Sequence, residues 1–142
     1  MMASAVPLLL VMASIVALGV TGNLLALSPL VIAAQVVAIG LSIWARRSFQ
    51  KGTFRVTATP GGDAIIRNGP YRFVRHPMYA AALLFIWAAV LSHVSVFTLV
   101  VGLTVSGVAI ARVVVEERLL RGRYSDYQDY ARSTSALVPY VF

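Results

Sequence analysis

Two short segments hold most of the side chains able to do chemistry. The first is Gly69-Pro70-Tyr71-Arg72-Phe73-Val74-Arg75-His76-Pro77-Met78-Tyr79. Pro77 suits the first position of a helix, where its missing N–H costs nothing. His76 then stands near the N-cap and Tyr79 on the first turn. The N–H groups of Met78 and Tyr79 lack intrahelical partners there, and such a helix start can hold an anion such as a carboxylate. The second segment is Arg112-Val113-Val114-Val115-Glu116-Glu117. Arg112 and Glu116 are spaced i,i+4 and share one helix face. Carboxylates at the mouth of an apolar helix are costly facing lipid and more plausible facing a cavity. A plainer reading also fits. His76 as a simple cap, Tyr71 and Tyr79 as interfacial aromatics, and arginines that only set topology would give the same pattern. The other histidine, His93, lies in a short uncharged turn with no second ligand nearby. It reads as structural, and no metal site is expected.

The elements that must position these residues are apolar helices. The chain of 142 residues is 59% hydrophobic and 12% charged, with no cysteine and a formal charge of +7. No Asp, Glu, Lys or Arg occurs in Met1–Ala45 or in His76–Ala111. The twelve basic and five acidic residues are confined to Arg46–Arg75, Arg112–Arg123 and Asp126–Arg132. A nucleic-acid module would spread polar residues over a soluble face, so no nucleic-acid partner is expected. Bases flanking apolar runs follow the positive-inside rule instead. The first apolar run lacks a basic start and is too long for a signal-peptide core, so it reads as a retained helix.

The fold expected is an all-α membrane protein of one domain, 1–142, with four transmembrane helices. The spans are placed at about 6–27, 29–45, 77–91 and 95–115. Gly19, Gly22 and Asn23 near the end of the first suggest close packing or fraying. Pro29 opens the second, and Trp44, Arg46 and Arg47 mark its interfacial end. The third is short for a span, about 23 Å at 1.5 Å per residue. The fourth can continue to Arg121, beyond the hydrocarbon core. The stretch from Gln50 to Pro77 is a long polar loop with turns at Pro60-Gly61-Gly62 and Asn68-Gly69-Pro70. Tyr124, Tyr127 and Tyr130 recur at threefold spacing in the tail. Four spans put both termini and the charged loop on one side, the cytoplasm. Neither Gly19/Gly22 nor Gly102/Gly107 forms G-x-x-x-G, so oligomeric state is open.

Arg75-His76-Pro77-Met78-Tyr79 matches an R-H-P-x-Y motif. It follows Gly69-Pro70-Tyr71 and precedes Glu116-Glu117, then Leu120, Tyr124, Tyr127, Tyr130 and Leu137-Val138-Pro139. Together these resemble the isoprenylcysteine carboxyl methyltransferase and phospholipid methyltransferase group of integral membrane enzymes. The resemblance covers about Asp63 to Pro139. It implies S-adenosyl-L-methionine bound at the cytoplasmic membrane face, with a lipophilic or lipid-modified acceptor arriving from the bilayer. It implies a cytoplasmic loop and C-terminal helical tail that form the cofactor site. The backbone around Ala64, Ile65 and Ile66 would line that site. Tyr71, His76, Pro77, Met78, Tyr79 and Glu117 would hold the cofactor, with Glu116 at its ammonium or ribose end. Arg112 would orient the acceptor. His76 would act as base if the acceptor is a hydroxyl or a protonated amine. Bacterial members are the most similar in length, which implies an inner-membrane location. Two departures stand out: Ala81, where many relatives have glycine, and Ala136, where relatives often carry a basic residue. Competing readings are an NADPH-dependent enzyme like the sterol reductases and a non-catalytic scaffold of the same fold.

Overall fold

The computed structural model describes residues 6–48 and 65–138. Asp63, Ala64, the turn at Pro60-Gly61-Gly62 and Pro139 lie outside the described residues. Among the described residues the regular elements are helices, with one isolated bridge. The helices are α1 (Val6–Val20), α2 (Pro29–Arg47), α3 (Pro77–Ser92), α4 (Val96–Arg123) and α5 (Tyr127–Ser133), with a 3-10 turn at Gly69–Arg72 before α3.

The helix boundaries have local causes. α1 ends at Val20, short of the expected Leu27. Gly22 takes φ +73°. The amide of Asn23 donates to Leu18 O at 2.8 Å, and that of Gly22 to Gly19 O at 3.1 Å. This is the Schellman closure, which needs a residue in the left-handed region and favours glycine. Gly22 is therefore a stop signal and not a site of close helix packing. α2 begins at Pro29 behind an extended Ser28 and carries Arg46 and Arg47 in its last turn, where cations complement the helix dipole. α4 begins with a reciprocal cap: the Thr98 amide donates to Ser95 Oγ at 3.1 Å and the Ser95 amide to Thr98 Oγ1 at 2.9 Å. At the end of α3 the His93 ring shares a bond with Ser92 at 3.0 Å, and its carbonyl accepts from Thr98 Oγ1 at 2.7 Å.

α3 is the central helix, packed on α2 and α4, while α1 lies against α4 and α3. The apolar core gathers Leu18 from α1, Ile86, Ala89 and Val90 from α3, and Val105 from α4. All three α3 residues lie in its second half, so this core sits at the far end of α3 from His76. A Cβ added at Gly102 would come within 3.2 Å of Val90 Cγ2, so glycine lets α4 approach α3 closely. Trp87 Nε1 donates across the same interface to Ser106 Oγ at 3.0 Å. Such a bond in an apolar setting contributes roughly 0.6–2 kcal/mol.

The outer surface is as apolar as the core. Leu9, Met12 and Val16 on α1, Leu30, Val36, Val37 and Ile39 on α2, and Val100, Leu103 and Ile110 on α4 are all exposed. A water-soluble protein rarely shows such continuous patches. By length and composition α2 and α4 can each cross a membrane. α4 has 28 residues, about 42 Å at 1.5 Å each, longer than a hydrocarbon core of ≈ 30 Å. Its last turns, with Glu116, Glu117 and four arginines, extend past the apolar part. α3, with 16 residues, spans about 24 Å.

Candidate functional site

The polar end of the molecule is built on Gly69. Its φ of +58° is a left-handed conformation, open to glycine at little cost. A Cβ there would also run into Ser48 Oγ and come within 3.2 Å of Trp44 Nε1. Glycine thus lets the 3-10 turn rest on the end of α2. Pro70 and Tyr71 are buried by that docking. Burial, then the neighbouring Tyr130 and Glu116, push the Tyr71 phenol up, so it stays protonated.

From this turn the chain runs extended beside its own C-terminal segment. Val74 and Ser135 form an isolated parallel bridge. The Arg75 amide donates to Ser135 O at 2.8 Å, the His76 amide to Ala136 O at 3.0 Å, and the Ser135 amide to Phe73 O at 3.1 Å. Ala136 is buried at this junction. α5 lies alongside: Tyr130 Oη donates to Tyr71 O at 2.6 Å. Arg67 pairs with Asp126 at 2.5 Å and stacks over the Tyr130 ring at 5.4 Å. Tyr127 is wholly buried.

Pro77 takes the first position of α3 with His76 as N-cap. The imidazole does not cap the helix. It turns instead between the two carboxylates of α4, with Nε2 3.2 Å from Glu117 Oε1 and Nδ1 3.6 Å from Glu116 Oε2. Burial works against charge on this ring. The bonds to Glu116 and Glu117 outweigh it, and the pKa is raised above its ordinary value. The two carboxylates therefore favour the charged form of the ring.

The two carboxylates have different company. Glu117 is buried and receives Arg75 Nε at 2.7 Å, Tyr127 Oη at 2.8 Å and His76 Nε2 at 3.2 Å on one oxygen. Arg121 reaches its other oxygen at 3.4 Å. Glu116 receives Tyr79 Oη at 2.6 Å and Arg112 at 2.9 Å on Oε1. Arg112 Nε also donates to Tyr79 Oη at 3.2 Å. No buried side-chain polar atom among the described residues lacks a partner.

His76, Tyr79, Arg112, Glu116 and Glu117, singled out in the sequence, thus meet in one network. Arg112 joins it through Tyr79 and Glu116, so it is not separate from the residues assigned to the cofactor. Pro77 is buried at the helix start, and Met78, Ile65 and Ile66 are half-buried. Arg75 and Tyr127 belong to the same network, and sequence reasoning gave neither a role. The signals were present: Arg75 opens the R-H-P-x-Y run, and Tyr127 and Tyr130 are the buried members of the tyrosine triplet.

A family model described as phospholipid methyltransferase matches residues 24–127. The match includes the R-H-P-x-Y run, Arg112 and both glutamates. Comparison with curated proteins and with solved structures gives no match. The match spans most of the chain and contains every helix that builds the polar network except the body of α5; the chain belongs to the phospholipid methyltransferase family.

Proposed function

We propose that this membrane protein transfers a methyl group from S-adenosyl-L-methionine to a lipophilic acceptor that reaches the site from the bilayer. The observation that carries this is the family match together with a dense polar network at one end of an otherwise apolar helix bundle. In this reading α1 to α4 all cross the membrane, with α1 and α3 as the shorter spans. The arginine-rich end, both termini and the site face the cytoplasm of a bacterial inner membrane.

The residues present fit such a cofactor. The first turn of α3, with the amides of Met78 and Tyr79, suits its carboxylate. Glu116 suits its ammonium. Its side chain is 19% exposed, and its Oε2 lies 3.6 Å from His76 Nδ1. The rings of Tyr71 and Tyr79 suit a sulfonium, and the backbone of Ala64, Ile65 and Ile66 would complete the lining. Glu117 is reached by four donors, so we assign it to the scaffold of the site and leave the ligand to Glu116. When bound, the cofactor supplies an electrophilic methyl group.

The chain's own part is alignment and exclusion of water, which can supply most of the acceleration of an in-line displacement. Arg112, at the same mouth as Tyr79 and Glu116, orients the acceptor. His76 lies between Glu116 and Glu117, which favour its charged form, so we assign it to ordering Glu116 in preference to acting as base. That arrangement suits an acceptor that arrives already nucleophilic: a carboxylate, a thiolate or a neutral amine.

The test is titration of the purified protein in detergent with S-adenosylhomocysteine, beside NADPH and beside Glu116→Ala. Saturable binding of S-adenosylhomocysteine alone, weakened in the variant, is expected. Binding of NADPH instead would favour reductase chemistry. No binding by a folded protein would favour a scaffold.

A further inference from the structure

The arginine of the R-H-P-x-Y run reaches Glu117 and the end of α5. Arg75 spans from Glu117 Oε1, at 2.7 Å, to the carbonyls of Ala131, at 2.9 Å, and Thr134. It thereby ties the end of α5 to α4. Glu117 receives donors from three further places: Tyr127 on α5, His76 before α3, and Arg121 one turn along α4. The side chains of Arg75 and Glu117 are only 12% and 11% exposed. Groups in such a pair are costly to bury unless every bond is made.

The geometry points to Arg75 and Glu117 as positioning residues: they fasten α5 onto the R-H-P segment and fix the His76 ring so that its Nδ1 addresses Glu116. This rests on the assignment of Glu116 to the ligand. The charged and titratable groups around His76 are Glu116 and Glu117 from α4, Tyr79 from α3 with ring centroids 5.8 Å apart, and Arg75 in its own segment. Tyr127, Arg112 and Arg121 act on it through the two carboxylates. The ring has two partners. Nε2 is held by the scaffold glutamate, and Nδ1 faces the ligand glutamate. Removing charge from Glu117 weakens the imidazolium without touching Glu116, Tyr79 or Arg112.

Glu117→Gln is the informative variant, since its amide oxygen can still accept from Arg75 and Tyr127. The first readout is the imidazole nitrogen NMR signal of His76, separated from His93 by a His93→Gln background; the chain has only these two histidines. In the unmodified protein the titration midpoint of His76 is expected to lie above that of an unperturbed imidazole. In Glu117→Gln the midpoint of titration falls, and each unit of fall lowers the imidazolium fraction about tenfold above the midpoint. The second readout is affinity for S-adenosylhomocysteine against pH. Its loss on the alkaline side is expected to move to lower pH in Glu117→Gln, with near-normal affinity recovered on acidification. A role confined to holding the fold would weaken binding equally at every pH, and that result overturns the proposal. A His76 midpoint at or below that of an unperturbed imidazole in the unmodified protein overturns it as well. If Glu117→Gln does not fold, Tyr127→Phe serves. Relieving Glu117 of one donor is expected to move the same midpoint upward, and an unmoved midpoint counts against the proposal. If the unmodified protein binds no S-adenosylhomocysteine at any pH, the methyltransferase reading fails, while the His76 titration still decides the positioning role.

Discussion

Tyr79→Phe isolates one hydroxyl in the network. The ring is retained, so packing around α3 is kept. The hydroxyl donates to Glu116 Oε1 at 2.6 Å and accepts from Arg112 Nε at 3.2 Å. Hydrogen bonds to charged groups contribute about 1.5–3 kcal/mol net. Glu116 keeps Arg112 at 2.9 Å, so the carboxylate is not stranded and the low end applies. A loss of about 1.5–2 kcal/mol in the ordering of Glu116 corresponds to roughly ten- to thirtyfold weaker binding of a ligand that depends on it. The assay is calorimetric titration with S-adenosylhomocysteine in detergent, with the thermal midpoint recorded for the same sample. Affinity within about twofold of the unmodified protein, with the fold intact, would refute the claim that Tyr79 sets Glu116 for the ligand.

Further outcomes follow from the same contacts. Glu117→Ala leaves Arg75 and His76 buried without their partner and is expected to destabilise by about 3–5 kcal/mol; Glu116→Ala is expected to cost less stability and more ligand affinity, as paired thermal and binding measurements would show. Gly69→Ala adds a methyl against Ser48 at a left-handed φ and is expected to cost at least ~1–2 kcal/mol, seen as a lower thermal midpoint. Stability is also expected to depend on His76. Its folded pKa is raised, so its contribution is full below the unfolded value of about 6.5 and is lost as pH rises through the folded pKa. Thermal midpoints taken from about pH 6 to 9 should fall, and His76→Gln should flatten that trend.

The helices and the chemistry were legible in the sequence for separate reasons. Charge-free runs bounded by arginines placed α2 and α4 closely, and Pro29 and Pro77 marked helix starts that the structure shares. α1 was drawn too long because hydropathy continues through Leu24, Leu25 and Leu27. The conformation of Gly22 ends the helix there, and an apolar stretch does not reveal it. Both glutamates are expected at the cofactor, and the structure gives them different company. Adjacent residues on a helix point about 100° apart, so only one of them can face the mouth as Tyr79 and Arg112 do, while the other turns to Arg75 and Tyr127. The pairing of Val74 with Ser135 had no signature, since neither segment alternates as a strand does. Ala136 was noted only as a departure. Its carbonyl accepts the His76 amide, a backbone role that residue type does not disclose. Ala81, the other departure, is buried in α3.

Methyl transfer itself is the most direct test. The purified protein would be incubated in vesicles of bacterial lipid extract with methyl-labelled S-adenosyl-L-methionine, beside Glu116→Ala and an empty-vesicle control. Label that moves into the organic phase with the unmodified protein, and is sharply reduced with the variant, is the predicted result. Folded protein that binds S-adenosylhomocysteine yet leaves all label in the aqueous phase, across lipid extracts and added lipophilic carboxylates, thiols and amines, would contradict the account.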